Sequence, residues 1–190
     1  MQVNRRAFLT GGAAAAAGLA LVQQSRAVDI PAPEKEAVLN LCSQLGVIPG
    51  KSLDEKLATL QAWGCAGVEL GGDVVGNEKK YLDAIAKTDL KISAICWGSC
   101  GGDLVSEDAQ RRKRGVEALK KALASAGEVH STGVIYVPAF NSETKRTNQE
   151  IRQLLLETLP EIGQYAVGVR SRVLLEPLNR GEAFFLRQLA

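Results

Sequence analysis

The sequence predicts an α/β fold built on a parallel sheet: a (β/α)8 barrel, of which this chain carries the first five βα units. Three observations lead there. Apolar, β-branched runs suited to buried strands begin near residues 38, 66, 91, 133 and 173, and an amphipathic helical pattern follows each of the first four. Such βαβ repeats wind right-handed around a parallel sheet. Acidic or polar residues close several of the strands, and no G-x-G-x-x-G follows the first one, which favours the barrel over an open doubly wound sheet.

The elements are read in order. Ala37–Cys42 is the first strand candidate. Gly46-Val47-Ile48-Pro49-Gly50-Lys51-Ser52 imitates a phosphate-binding loop, but only three residues separate its glycines where four are needed. Ser52-Leu53-Asp54-Glu55 reads instead as a capping box opening a helix with Leu53, Leu57 and Leu60 on its apolar stripe, stopped at Gly64. Ala66–Leu70 is the second strand, with Glu69 near its end. Asn77 is expected to cap a helix burying Tyr81, Leu82 and Ile85. The third strand, Lys91–Cys96, leads into Trp97 and a glycine-rich loop. Ser106 is expected to cap a third helix reaching about Ala126, with Val116, Leu119 and Leu123 inward and the Arg111–Arg114 cluster spread over a solvated face. Gly133–Val137 is the fourth strand. A fourth helix spans about 148–166, with Ile151, Leu154, Leu155 and Leu159 inward and one backbone donor removed at Pro160, where a bend is expected.

The fifth strand, Val173-Leu174-Leu175, runs straight into Glu176 and is closed by Pro177, which cannot donate to a ladder. A second acid, Glu182, follows six residues later. An acid at the carboxyl end of a parallel strand stands where such folds bind ligands. The only histidine, His130, precedes the fourth strand, at the opposite end of the sheet, and reads as a surface residue.

The chain has 190 residues, 46% hydrophobic and 23% charged, ordinary for one globular domain. Without Arg5, Arg6 and Arg26 its 23 basic residues fall to 20 against 21 acidic ones, so the body is near neutral and lacks the basic face of a nucleic-acid binder. Those arginines belong to the amino terminus. Asn4-Arg5-Arg6-Ala7-Phe8-Leu9-Thr10 resembles the twin-arginine export consensus, a small apolar run follows, and Ser25-Arg26-Ala27 offers small residues at −3 and −1 of a cleavage after Ala27. The apolar run is too short for a stable membrane span. Residues 1–27 are thus expected to be a signal peptide read by the twin-arginine machinery, 28–37 a linker, and 38–190 the partial barrel of a protein exported to the periplasm or beyond. Cys42, Cys65, Cys96 and Cys100 lack the spacing of a disulfide or zinc framework and read as buried free thiols.

Leu175-Glu176-Pro177-Leu178-Asn179-Arg180-x-Glu182 resembles the fifth-strand motif of the xylose isomerase-like TIM-barrel superfamily, within it the sugar phosphate isomerases and epimerases, including ketose 3-epimerases and hydroxypyruvate isomerase. Gly67-Val68-Glu69 is similar to the second-strand ending of that family, and Ser106-Glu107-Asp108 with its basic helix to the third helix. The resemblance implies a metal-dependent isomerase or epimerase acting on a small sugar or keto-sugar through an enediolate. It implies a divalent metal, manganese first, with magnesium, cobalt or zinc as alternatives. In those terms Glu176 is a metal ligand and proton-transfer base, and Glu182 contacts substrate hydroxyls. Glu69 and Trp97 are further candidates for the substrate pocket, Trp97 as a wall on which a sugar stacks. The other family ligands, Asp, His and Glu, come from strands six to eight. The sequence after Glu182 reads as the start of a fifth helix. The expectation is therefore a carboxyl-truncated, inactive fragment with an exposed edge at its fifth strand and an incomplete metal site. Alternative functions on the same scaffold are a polyol dehydratase, an abasic-site endonuclease and a non-catalytic sugar-binding barrel. Homo-oligomerisation stays open.

Overall fold

The structure, a computed structural model, describes residues 39–185. The proposed signal peptide and linker, and residues 186–190 of the expected fifth helix, lie outside them. Five strands form one sheet in the order β1-β2-β3-β4-β5, every neighbouring pair parallel. The strands are β1 Cys42–Gln44, β2 Gly67–Gly71, β3 Lys91–Gly98, β4 Val134–Tyr136 and β5 Val173–Leu175. The helices α1 Leu53–Ala62, α2 Glu78–Ile85, α3 Ala109–Glu128 and α4 Asn148–Gly168 fill the crossovers. Among the described residues β5 pairs only with β4, leaving the edge expected there.

The first strand differs from expectation. The apolar run before it is exposed, Leu39 at 98% and Leu41 at 61%. Pairing starts at Cys42 opposite Gly67. Gly67 makes that close approach possible: a Cβ there would stand 2.9 Å from Cys42 Sγ and 2.7 Å from the Lys91 carbonyl oxygen. Backbone register therefore overrides the local apolar pattern.

Helix ends follow local chemistry, with three corrections. At α1, Ser52 accepts the Glu55 N–H as expected, but the Glu55 carboxylate reaches the Lys51 N–H (2.6 Å) instead of closing the box. At α2, Asn77 makes no side-chain cap; its amide donates to the Asp73 carbonyl, and Glu78 takes the Gly76 N–H. At α3, the cap is Asp108, which accepts from Gln110 N–H at 2.7 Å. Ser106 sits two residues earlier and accepts from Asp108 N–H. Two members of the basic cluster are not simply solvated: Arg111 clasps Asp103 (2.6 and 2.8 Å), and Arg112 donates to the carbonyls of Ser106 and Glu107. The glycines Gly101 and Gly102 hold this loop at φ of 66° and 71°, the left-handed region that costs other residues strain. Thr147 and Glu150 form a complete capping box on α4, and the helix runs on through Pro160.

The core lies between the sheet and these helices. Val68, Leu70, Ile95, Val134 and Tyr136 face Leu57, Leu60, Leu119, Leu123, Ile151 and Ile162, all at most 1% exposed. Burying each of the larger aliphatic side chains stabilises the fold by roughly 1.5–3 kcal/mol. Among the described residues, no helix is long and apolar enough to cross a membrane. The four cysteines are free, but Cys42 is exposed and the other three are partly buried, so the expectation of four buried thiols is corrected.

Candidate active site at the carboxyl ends of the strands

Strand alternation sorts the side chains at this end of the sheet onto two faces. Gln44 pairs with Glu69, Gly71 with Cys96, Cys96 with Ile135 and Ile135 with Leu174. These residues share the face turned away from the helices. Glu176, two residues after Leu174, returns to that same face. Its N–H donates to the Tyr136 carbonyl (3.0 Å), which prolongs the β4–β5 ladder by one bond and fixes the residue at the rim before Pro177.

Glu69 and Cys96 line a cavity of about 150 Å³ together with Gln44, Gly46, Leu70 and Gly71. Gln44 Nε2 lies 3.8 Å from Cys96 Sγ, within reach of a weak hydrogen bond to sulfur. Burial, and then the negative fields of Glu69 and Glu176, push the Cys96 thiol above its ordinary pKa. The thiol therefore stays protonated at neutral pH. Oε1 of Glu69 is buried and has no hydrogen-bond partner. An unsatisfied buried acceptor costs on the order of 1–3 kcal/mol, and such exceptions concentrate where a ligand completes the bonding.

Glu182 stands apart from this cluster, exposed on the loop after β5. Its carboxylate accepts from the Asn179 side-chain amide, and Asn179 in turn accepts the Gly181 N–H (2.8 Å). Asn141, from the loop after β4, clamps the same loop: its N–H donates to the Glu182 carbonyl (2.7 Å) and its amide to the carbonyls of Arg180 and Gly181. Glu182 is thus held in position by two asparagines.

Trp97 is placed away from the acids. It follows Cys96 in β3 and points to the helix side. There its indole lies against Gly72, where a Cβ would stand 3.0 Å from Cε3, and it lines a separate cavity with residues of α3. Trp97, expected as a wall on which a sugar stacks, therefore lies in a different cavity from Glu69. His130 is exposed, at the far end of β4, as expected. Gln44, Cys96 and Asn141 were not picked out as site residues from the sequence. The available signal for the first two was their register with Glu69 once the strands are paired.

A parallel βα sheet with acids gathered at the carboxyl ends of its strands defines the class: a barrel whose ligand site is built from the βα loops. Within that class the chain belongs to the xylose isomerase-like TIM barrel family, whose profile matches residues 57–190. It is 28% identical over 147 residues to 3-dehydro-D-guloside 4-epimerase of Escherichia coli (strain K12), a match covering 72% of this chain and 55% of that protein. Among solved structures it is similar to apo 3-keto-D-glucoside 4-epimerase from E. coli (TM-score 0.64, 24% identity, 75% of this chain and 57% of that one). It is also similar to D-psicose 3-epimerase from Clostridium cellulolyticum H10 with D-tagatose (TM-score 0.68, 12% identity, 78% and 55%). The chain spans about half the length of the curated relative it matches.

Proposed function

We propose that the protein is a carbohydrate epimerase or isomerase that moves a proton on the carbon next to a sugar carbonyl. The observation that carries the reading is the placement of Glu69 and Glu176 on one face at the strand rim, with Glu69 Oε1 buried and unsatisfied. The names of the three similar proteins described above, each a sugar epimerase, support the same chemistry.

Glu176 takes the proton-transfer role. The C–H bond beside the carbonyl breaks, the proton passes to the carboxylate, and the electron pair moves onto the carbonyl oxygen to give an enediolate. Return of a proton from a second acid or water on the opposite face inverts that carbon; its return from Glu176 to the neighbouring carbon, with the hydroxyl proton passing to the former carbonyl oxygen, moves the carbonyl. Glu69 accepts a substrate hydroxyl with its unpartnered oxygen, and the Cys96 thiol stays neutral beside it. Glu182, held by Asn179 and Asn141, presents a carboxylate to further hydroxyls.

The family resemblance implies a divalent cation, which would stabilise the negative charge that develops on oxygen. Glu176 suits such an ion as one hard oxygen ligand. Among the described residues, however, no three His, Cys, Asp or Glu side chains are placed to hold a metal. The described residues therefore do not make a metal site by themselves.

The test is exchange of substrate hydrogen with solvent deuterium, followed by NMR on a keto-sugar glycoside and on a free ketose. Label is expected at the carbon adjacent to the carbonyl. Glu176→Gln should cut the exchange rate by about 10²–10⁴-fold. Absence of exchange with every keto-sugar, or an undiminished rate in the variant, would overturn the assignment.

A further inference from the structure

We infer that Gln44, at the end of β1, is a specificity-determining residue of the candidate site. Together with Glu69 it reads a single substrate hydroxyl, which donates to the Glu69 carboxylate and accepts from the Gln44 amide. The pair thereby decides which end of a keto-sugar enters this corner of the strand rim. This inference rests on the epimerase reading above.

Gln44 and Glu69 are direct register partners on parallel strands, so their side chains leave the same face side by side. The Gln44 side chain then reaches past β2 to β3, where Nε2 lies 3.8 Å from Cys96 Sγ. The β2 residue paired with Cys96 is Gly71, which has no side chain to block that path. The carboxamide therefore borders the space that Gln44, Glu69 and Cys96 line together. That space, about 150 Å³, is smaller than the roughly 300–1,000 Å³ usual for a whole small molecule, so it takes one end of a substrate. Glu176 leaves the same face from the end of β5, three strands further along the sheet, so the reacting carbon belongs to the other end.

Glu69 is an acceptor in need of a donor. Its Oε1 is buried and unpartnered, and among the described residues no lysine, arginine or histidine lies within ion-pair distance of it. Apart from the Cys96 thiol, a weak hydrogen-bonding group, the other polar side chain around the space is Gln44, since Gly46, Leu70 and Gly71 bring none. An ionised carboxylate can only accept. A carboxamide also has N–H donors, whichever way round it sits, and sulfur engages at most one of them. A hydroxyl suits both neighbours at once, giving its proton to Glu69 and taking one from Gln44. A carbonyl oxygen has no proton to give and would meet the carboxylate acceptor to acceptor. A hydrogen or methyl group would leave the buried oxygen unsatisfied, at a cost on the order of 1–3 kcal/mol. Sites that hydrogen-bond a hydroxyl reject the analogue lacking it more sharply than apolar pockets reject a change of size. The sugar carbonyl is thereby kept out of this corner and directed toward Glu176.

The test is a double-mutant cycle between Gln44 and the substrate hydroxyls. D-tagatose and methyl 3-oxo-glucoside, each with its monodeoxy derivatives, are titrated calorimetrically against the full-length protein and against Gln44→Met, which keeps the side chain's length and removes its polar atoms. Gln44→Glu, which keeps the shape and removes the donors, is the second variant. For the sugar that exchanges deuterium, one monodeoxy derivative is expected to bind the parent protein about tenfold more weakly than the full sugar. Both variants should weaken the full sugar by a similar factor and leave that derivative within about twofold of its parent value. Exchange at saturating sugar should stay within about twofold, because Gln44 stands away from the reacting carbon. Equal binding of every monodeoxy derivative, or an equal loss for the full and the deoxy sugar in Gln44→Met, would overturn the role of Gln44. The epimerase reading survives either result if exchange persists and is lost in Glu176→Gln. Failure of every compound to bind or exchange would overturn both readings.

Discussion

Ile95 and Cys96 are consecutive residues of β3 and belong to opposite faces of the sheet. Ile95 is wholly buried against the helices, beside Leu70 and Val134. Cys96 looks the other way, into a half-open space shared with Glu69 and influenced by Glu176. The helix face is apolar and fully covered; the other face carries the polar atoms, including a buried oxygen left without a partner. One face holds the fold together, and the other carries the proposed site at some cost to stability.

This division can be broken most directly by adjacent substitutions. Ile95→Ala should lower unfolding free energy by about 2–5 kcal/mol, because it leaves a cavity in a packed layer. Cys96→Ala should change it by less than about 1 kcal/mol. Urea denaturation of the two variants decides the matter; equal losses would remove the distinction. A smaller effect sharpens the electrostatic link across the open face. Glu69→Gln removes one negative neighbour, so the Cys96 thiol should ionise more readily and be alkylated about two- to fivefold faster near pH 8. Peptide mapping of iodoacetamide adducts reads this rate at Cys96 separately from the other thiols. An unchanged rate would show that the two side chains do not share a field.

The smallest expected effect is at the surface. Glu107 accepts from its own N–H, from the Lys145 N–H (2.9 Å) and from the Thr144 hydroxyl (2.8 Å), which holds its carboxyl down at about 2. Because the folded pKa is depressed, its contribution is complete above the ordinary carboxylate value and disappears as pH falls toward about 2. Glu107→Gln should therefore flatten the acid limb of the stability curve between about 4.5 and about 2. The high-pH limb should be unaltered. An acid limb identical to that of the parent would assign the contact no role in stability.

Much of this was legible from residues alone, because periodicity and strand composition are local. Four strands begin within a residue or so of the expected places, and the stripes Leu57–Leu60, Leu119–Leu123 and Ile151–Leu155 all face the core. Glu69 and Glu176 were legible because an acid ending an apolar run is conspicuous. What could not be read depended on pairing. β1 is placed by the close contact at Gly67, a property of its neighbours. The cavity that Trp97 lines could not be read, and Cys96 and Gln44 were passed over, because which face a residue takes depends on register. The ladder shifts between Val68 and Leu70 and again between Cys96 and Gly98, so counting by twos from Glu69 does not reach the correct face across the strands. Asn141 gave no signal, since its partners lie about 40 residues away.

The order of the sheet has a consequence for how the protein is made. Each strand is hydrogen-bonded to the strand synthesised just before it and, within the described residues, to none that comes later except its immediate successor. A chain leaving the ribosome can therefore add one βα unit at a time to a growing edge, without waiting for a distant segment to close a loop. The contact of Asn141 with the Glu182 loop carries the same direction into the site: the loop of an earlier unit is in place to receive the loop of the next. Assembly and synthesis run along the same axis, and β5, the last strand of the described residues to be added, is the one that leads into Glu176 and Glu182.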